Sequence, residues 1–360
     1  MGGVTGAPRL GLMLGDGIGP EIVPVAVRVV DAALSAAGGS RPDWVLLPVG
    51  ASAIPEHGSP LPSQTVEALE GMDGWLLGPH DNAAYPEPFA SQLNPSGAIR
   101  KHFGLFANIR PARSFPGARA VVPGTDLVIV RENTEGFYAD RNTFAGTGEF
   151  MPDPDTAIAM GIVTRSGVER IARVAFDLAR TRSRRVTVVH KANVLRLTMG
   201  LFLDTCRRVA AEYPDVDVDD YHIDALAAHL VRRADHFDVI VAENMFGDIL
   251  SDLTGELAGS LGIAPSINAS RDKAMAQAAH GSAPDIAGRD VANPIAMILS
   301  ASMLLRWLGE RGDDAVPVDA AQRIDEAVAR TVAAGVTTPD LGGTCGTEDF
   351  GTAVVDALAG

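Results

Sequence analysis

The feature that most constrains this chain is an alternation of short apolar, often β-branched runs with amphipathic helical stretches. Leu10 to Leu14 is apolar and stops at GDGIGPE (15–21), and residues 22–36 read as a helix closed by Gly38-Gly39. Ser63 is a candidate cap for a short helix ending at Gly71, and a strand follows at 74–78. DLVIVRE (126–132) and RVTVVH (185–190) read as buried strands, and Ser166-Gly-Val-Glu169 as a capping box opening a helix over 167–182. A helix over 198–212, a strand over 218–223, a helix over 225–233 capped by Asp224, the strand DVIVAE (238–243), and helices from about 247 to 261 and over 294–309 complete the pattern. Such alternation predicts an α/β fold with mostly parallel strands. The tract 144–156, rich in Gly, Pro and Asp without periodicity, reads as a loop or arm. No repeat or low-complexity linker marks a domain boundary.

Composition narrows the class. The 360 residues suit two or three domains, and 46% apolar with 21% charged residues excludes disorder. A net charge of −15 opposes a nucleic-acid partner. Cys206 and Cys345 form no CxxC, so neither a disulfide framework nor a cysteine zinc site is expected. No apolar run approaches the roughly 18 residues of a membrane span. MGGVTGAPRL has no signal-peptide pattern, and Gly6 fails the myristoylation pattern. The expectation is a soluble cytoplasmic enzyme.

GDGIGPE lacks the third glycine of a dinucleotide fingerprint because Pro20 stands there. A plain strand-to-helix turn suits the spacing equally, with Glu21 favoured by the helix dipole. Arg100, Arg110 and Arg131 suit a substrate with several carboxylates, since guanidinium forks match carboxylates bidentately. Against this, the chain has 27 arginines, most of them expected at the surface. It has only three lysines, and one of them, Lys191, directly follows a strand, where a base or an ordinary solvated lysine both fit. Asp248 and Asp252 in GDILSD share a helix face at i, i+4, a repulsive spacing that a hard divalent cation would reverse. Capping and solvation are the plainer reading. Asp224, just past a strand, is a candidate third oxygen ligand. His222, His229 and His236 are seven apart, but a strand-to-helix break and the lack of HExxH argue against zinc. HGSAPDIAGRDVANP (280–294) reads as a ligand loop, in which Asp285 suits a ribose diol and disfavours an extra phosphate.

Taken together, the chain resembles the β-decarboxylating dehydrogenases, the family of isocitrate, homoisocitrate, 3-isopropylmalate and tartrate dehydrogenases. The likeness runs through GDGIGPE (15–21), RKHFGLFANIRP (100–111), IVRENTEGFY (129–138), HKANVLRLTMGLF (190–202), MFGDILSDL (245–253), HGSAPDIAG (280–288), ANP (292–294) and TPDLGG (338–343). It implies an isopropylmalate dehydrogenase-like two-domain α/β fold with a central cleft, not a Rossmann fold. Residues 1–104 with 259–360 would form the first domain and 105–258 the second, which would carry the dimer interface. By the same resemblance Arg100, Arg110 and Arg131 match the clamps on the malate carboxylates, and Asn193 a residue near nicotinamide and substrate. Asp248 and Asp252 match metal ligands. Asp224 and the base Lys191 match residues that the family delivers across a homodimer interface, and Tyr138 matches the acid. His280, Gly281, Ser282, Ala283, Pro284, Asp285 and Ile286, with Asn293 at the adenine, match the cofactor loop in its NAD form.

The residue types suit NAD-dependent oxidative decarboxylation of a 2-hydroxy di- or tricarboxylate with Mg²⁺ or Mn²⁺. A lysine in a cationic, partly buried site can have a lowered pKa. A cation stabilises the enolate left when CO₂ departs, and a tyrosine can protonate it. Gln277-Ala278 departs from the family's usual Glu-Pro. NPSGAI (94–99) and GPHDNAAYP (78–86) favour a polar substituent on C3, as in isocitrate or homoisocitrate. 3-Isopropylmalate and tartrate or malate remain alternatives, as do a non-catalytic regulatory subunit and a non-oxidative metal-dependent lyase. Tyr138, Lys191, the three aspartates and the three arginines argue against the silent subunit.

Overall fold

A computed structural model describes residues 8–138, 146 and 148–358. Its first half runs β1 (Arg9–Met13), α1 (Gly19–Ala36), β2 (Asp43–Leu46), α2 (Ile54–His57), α3 (Ser63–Glu70), β3 (Gly74–Leu77), α4 (Pro95–His102), β4 (Ala107–Arg113) and β5 (Asp126–Glu132). It continues with β6 (Glu149–Asp153), β7 (Thr156–Ala159), α5 (Arg165–Arg180), β8 (Arg185–His190), α6 (Thr198–Ala210), β9 (Asp217–His222), α7 (Ile223–Arg233), β10 (Val239–Ala242) and α8 (Asn244–Ala258). The last elements are β11 (Ile267–Ala269), β12 (Ala274–Ala276), α9 (Ile295–Gly312), α10 (Ala315–Ala333) and α11 (Thr347–Leu358).

Ten strands form one sheet in the order β2-β1-β3-β12-β11-β4-β5-β10-β8-β9. The wings β2-β1-β3-β12 and β5-β10-β8-β9 are parallel within themselves. The three central pairings, β12 with β11, β11 with β4 and β4 with β5, are antiparallel. The two wings therefore run in opposite directions, which a doubly wound nucleotide fold does not do. The α/β expectation with mostly parallel strands is borne out, and the antiparallel centre is what the alternation did not show. The sheet continues across the expected boundary at 104–105, because β4 pairs with β11.

The core follows from the pattern. β10 is buried at every residue, and α5 buries Val168, Ile171, Ala172, Ala175, Phe176 and Ala179 at helical spacing. Burying such a stripe is worth roughly 25 cal/mol per Å² of apolar surface, and this secures the sheet that carries the site.

Several local expectations are corrected. Thr164, not Ser166, caps α5 by accepting from Gly167 N at 3.0 Å. Asp224 does not cap α7, whose cap position is His222, but lies in the first turn. Ser63 is the first residue of α3, after Pro62. α8 starts at Asn244, three residues earlier than expected, because the Glu243 carboxylate accepts from Met245 N at 3.1 Å and Phe246 N at 2.7 Å. Within the tract 144–156, β6 pairs with β7 as an exposed antiparallel hairpin, while residues 144, 145 and 147 lie outside the described residues.

Candidate active site

Arg110 on β4 and Arg131 on β5 are both buried and meet α8. Arg131 donates through Nε and Nη2 to Asn244 Oδ1 at 2.9 and 2.7 Å, and through Nη1 to Asp248 Oδ1. Arg110 Nη1 donates to Ser251 Oγ at 2.7 Å, Asp248 Oδ1 at 3.2 Å and Asp252 Oδ1 at 3.4 Å, and its Nε to Asn108 Oδ1 at 2.6 Å. Tyr138 Oη donates to Asp248 Oδ2 at 3.1 Å, and its ring centroid lies 5.8 Å from the Arg131 guanidinium. Five of the expected site residues, drawn from β4, β5, the following loop and α8, thus form one cluster.

Electrostatics separate the members of this cluster. Burial, together with the like charge of Arg131, pulls Arg110 down to about 10. Burial would raise Asp248, but the two guanidiniums outweigh it and hold the carboxyl below its ordinary value. Asp252 is pushed up, by burial first and by the Asp248 charge as well. The approach of α8 depends on Gly247, where a Cβ would stand 2.7 Å from Arg131 Cβ and Cγ. Glu132 folds the next loop by accepting from Thr134 N at 2.9 Å, Thr134 Oγ1 at 2.7 Å and Glu135 N at 2.6 Å. Glu135 in turn accepts from Thr164 N at 2.8 Å, which ties the loop bearing Tyr138 to α5.

Arg100 on α4 approaches from the other wing. Its Nη2 donates to Gln277 Oε1 at 3.3 Å, and Ser96 Oγ donates to the same oxygen at 2.7 Å. Gln277 Nε2 donates to Gly78 O at 3.3 Å, and Asn94 Oδ1 caps α4 by accepting from Gly97 N at 2.7 Å. A cavity of about 190 Å³ lies among His80, Asn94, Ser96, Arg100, Arg110 and Gln277. Another, of about 300 Å³, is lined by Ile109, Pro111 and Arg113 on the opposite face of β4 and holds none of the expected residues.

GDGIGPE and the 280–288 loop are built against each other. Ile18 N donates to Ser282 O at 2.9 Å, and Gly17 has φ +57, with room for no Cβ because Ser282 O would lie 2.0 Å away. Glu21 accepts from Gly288 N at 2.5 Å and Asp290 N at 3.1 Å. The glycine turn is neither a fingerprint nor a bare turn, since it cradles a second loop. On that loop His280 is held low by burial, Ser282 is buried, Ala283 and Ile286 are half-buried, and Gly281, Pro284 and Asp285 are exposed. Asn293 donates to Asp340 Oδ2 at 3.0 Å and accepts from Ile295 N at 2.9 Å, so it fixes TPDLGG and the start of α9.

Lys191 and Asp224 stand apart. Lys191 Nζ donates to Asp224 Oδ1 at 2.6 Å, with the Asp224 side chain 68% exposed. β8 lies two strands from β5, about 10 Å at the usual spacing, and Asn193 is exposed on the loop that follows it. Among the described residues no group of three acidic, histidine or cysteine side chains is placed to hold a metal ion. One chain therefore unites Asp248 with Asp252 but does not bring Asp224, Lys191 or Asn193 to them. Sequence reasoning missed Asn108, Asn244, Ser251 and the tether Glu21. Asn244, Asp248 and Ser251 at i, i+4, i+7 were the available signal.

The fold and the cluster define a class: an α/β enzyme with a buried guanidinium clamp facing paired carboxylates at the joint between two opposed parallel wings. The family model described as isocitrate/isopropylmalate dehydrogenase matches residues 9–354. The chain is 43% identical over 358 residues to an isocitrate/homoisocitrate dehydrogenase of Thermus thermophilus, covering 98% of this chain and 99% of that protein. It is 41% identical over 346 residues to the 3-isopropylmalate dehydrogenase of Archaeoglobus fulgidus, covering 96% and 97%. The crystal structure of isocitrate dehydrogenase from Methylococcus capsulatus superposes with a TM-score of 0.86 at 38% identity, covering 98% of this chain and 100% of that one. The chain belongs to the isocitrate/isopropylmalate dehydrogenase family and is an oxidoreductase, an oxidatively decarboxylating dehydrogenase. The family, fold class and enzyme class expected from the motifs are thereby borne out. Among the described residues no helix is long and apolar enough to cross a membrane.

Proposed function

We propose that the chain carries out NAD-dependent, divalent-metal-dependent oxidative decarboxylation of a 3-substituted (2R)-malate, with a polar C3 substituent of the isocitrate or homoisocitrate kind favoured. The observation that carries this reading is the convergence of buried Arg110 and Arg131 on Asp248, Asp252 and Tyr138. The donor set fits a hard divalent cation. Asp248 and Asp252 both approach one guanidinium nitrogen, so their oxygens meet where positive charge is stabilised, and Mg²⁺ needs only one or two carboxylates besides water and substrate. Asp248 and Asp252 would hold it with Asp224 of the partner subunit. Asp285, exposed on the loop cradled by GDGIGPE, suits the ribose hydroxyls of NAD.

When bound, the divalent ion supplies charge stabilisation at the substrate's C2 oxygen, and NAD supplies the hydride acceptor. Arg100, Arg110 and Arg131 orient the substrate carboxylates. Lys191 of the partner subunit takes the C2 hydroxyl proton, and Tyr138 delivers a proton to C3 after decarboxylation. A homodimer is part of this reading. Phe150, Met151 and Ile158 on the hairpin, Val194 and Leu197 on the segment after Lys191, and Ile249 on α8, the helix of Asp248, are exposed large apolar side chains available to such an interface. The division into domains 1–104 with 259–360 and 105–258, and a cytoplasmic location, belong to the same reading.

A panel of malate, isocitrate, homoisocitrate and 3-isopropylmalate with NAD or NADP and Mg²⁺ or Mn²⁺, followed by reduced-cofactor absorbance, tests it. NADH that forms only with metal is expected, and Lys191→Ala lowers turnover at least about 100-fold. No reduced cofactor with any malate, or undiminished turnover by Lys191→Ala, refutes the reading.

A further inference from the structure

We propose that His80 reads the substituent on C3 of the substrate, and that this substituent carries a hydrogen-bonding oxygen. The proposal rests on the function proposed above and adds to it a residue and a chemistry. The His80 side chain is only 5% exposed, yet neither ring nitrogen has a hydrogen-bonding partner among the described residues. Asp16 Oδ2 lies 3.8 Å from Nδ1, an ion-pair contact that is beyond hydrogen-bond range. Asp16 is already committed. It accepts from Ala51 N at 2.7 Å, Asp81 N at 3.0 Å and Tyr85 Oη at 2.5 Å, which pins the loop around His80 rather than satisfying its ring.

His80 is one of the residues lining the cavity of about 190 Å³ that Arg100 and Arg110 also line, its ring nitrogens buried behind that wall. The other polar side chains there are spent on the protein. Ser96 and Gln277 are bonded to each other, Gln277 also to Gly78 O, and Asn94 to the amide that it caps. Nε2 of His280 is likewise buried without a partner, but its Nδ1 is engaged by Gly281 O and it belongs to the loop assigned to NAD. Lining groups other than these are Pro79, Ala278, Ala279 and Gly281, with no large aliphatic side chain among them. A buried polar group without a partner is costly, and a site built around one rejects ligands that cannot satisfy it. A carboxylate or hydroxyl on C3 pairs the imidazole beside the carboxylate clamps. An isopropyl group leaves it unpaired and meets no apolar wall.

The full-length protein, its His80→Leu variant and its His80→Gln variant are compared on malate, isocitrate, homoisocitrate and 3-isopropylmalate. Binding of isocitrate, homoisocitrate and malate is titrated calorimetrically in parallel, and a thermal midpoint is recorded for each variant. The expected loss in His80→Leu is selective: about 100-fold greater in kcat/KM and in affinity for the preferred polar-substituted substrate than for malate, which has no C3 substituent. His80→Gln recovers part of it. A wild type that prefers 3-isopropylmalate, or a His80→Leu loss equal for malate and the substituted substrates, overturns the proposal and leaves His80 a packing residue. Absence of turnover with every malate would instead overturn the proposed reaction, and the binding ratio would still decide the role of His80.

Discussion

Gly247→Ala sets two effects of opposite sign against each other. A methyl at an interior helical position gains up to about 1 kcal/mol in helix propensity. Here that methyl would stand 2.7 Å from Arg131 Cβ and Cγ and 3.3 Å from Arg131 Cα. Carbon atoms pack at about 3.5–4.0 Å, so α8 must lift from β5 by about 1 Å. Overpacking of this kind costs about 1–3 kcal/mol, which leaves a net destabilisation of up to roughly 2 kcal/mol. The larger effect falls on the site. α8 carries Asn244, Asp248, Ser251 and Asp252, so lifting it opens the 3.1 Å contact to Tyr138 and the 3.2 and 3.4 Å contacts to Arg110 together. A displacement of about 1 Å in a positioned site costs about 100-fold in rate. Thermal unfolding with steady-state kinetics on the same preparation reads both terms. The expected result is a midpoint unchanged or lowered by a few degrees, with kcat/KM lowered about 100-fold. A raised midpoint with wild-type kcat/KM would show that propensity alone governs the position, and would refute the close-approach argument.

Glu21→Ala removes two amide tethers from the 280–290 loop, and because the carboxylate is half-exposed the cost is put at about 1.4 kcal/mol. That predicts an NAD KM raised about tenfold with little change in substrate KM, checked by varying each ligand separately. Burial alone would raise Asp16, but the proximity of the His80 ring, 3.8 Å away and not hydrogen-bonded, together with the hydrogen bonds from Tyr85 and the amides of Asp81 and Ala51, holds it at about 2. Its folded value lies below the ordinary carboxylate value, so its contribution is complete above about pH 4 and lost as pH falls towards 2. Denaturant titrations across that window should show a flatter acid decline for Asp16→Asn than for wild type. Leu197→Glu places a charge at a side chain 87% exposed, six residues after Lys191. Light scattering should show dissociation to monomer with activity lost in parallel, and a fully active monomer would refute the shared site.

The parts of the fold legible in the sequence were those governed by local periodicity. β10 is apolar throughout and α5 is amphipathic, so both show in any window of their own length. The antiparallel centre was not legible, because β11 and β12 are three residues each and their pairing with β4 and β3 spans the chain. Helix starts were misplaced wherever a neighbouring side chain did the capping. Thr164 precedes the apparent box at Ser166, and Glu243 reads as the end of a strand until its carboxylate is seen turned back on α8. Within the site, motifs showed the charged residues but not the neutral ones that hold them. Arg131 looks like a free clamp in DLVIVRE, yet Asn244, more than a hundred residues away, fixes two of its nitrogens. In the sequence Glu21 shows only as a residue favoured by the helix dipole, because its partners, the amides of Gly288 and Asp290, are backbone groups that no motif displays.

The charge balance of the chain follows from where its arginines stand. At the surface, pairs such as Arg9–Asp43, Arg28–Glu348, Arg180–Asp215 and Arg208–Glu169 are solvent-exposed and contribute little to stability. Arg110 and Arg131 are buried, and burying two guanidiniums together is offset by the Asp248 and Asp252 charges and by the oxygens of Asn108, Asn244 and Ser251. The four side chains carry two charges of each sign, so the cluster is near neutral and presents no surplus attraction to a polyanion. Under the proposed function, a substrate carboxylate that takes Nη1 of Arg110 or Arg131 displaces an aspartate from it. The freed aspartate then needs another cation. Asp248 held low and Asp252 pushed up are the two carboxylates such an exchange would release, and a divalent ion arriving with the substrate would restore the balance. The net charge of −15, which opposes polyanions over the chain as a whole, is thus compatible with a polycarboxylate substrate. Recognition would rest on this local exchange and not on the long-range field.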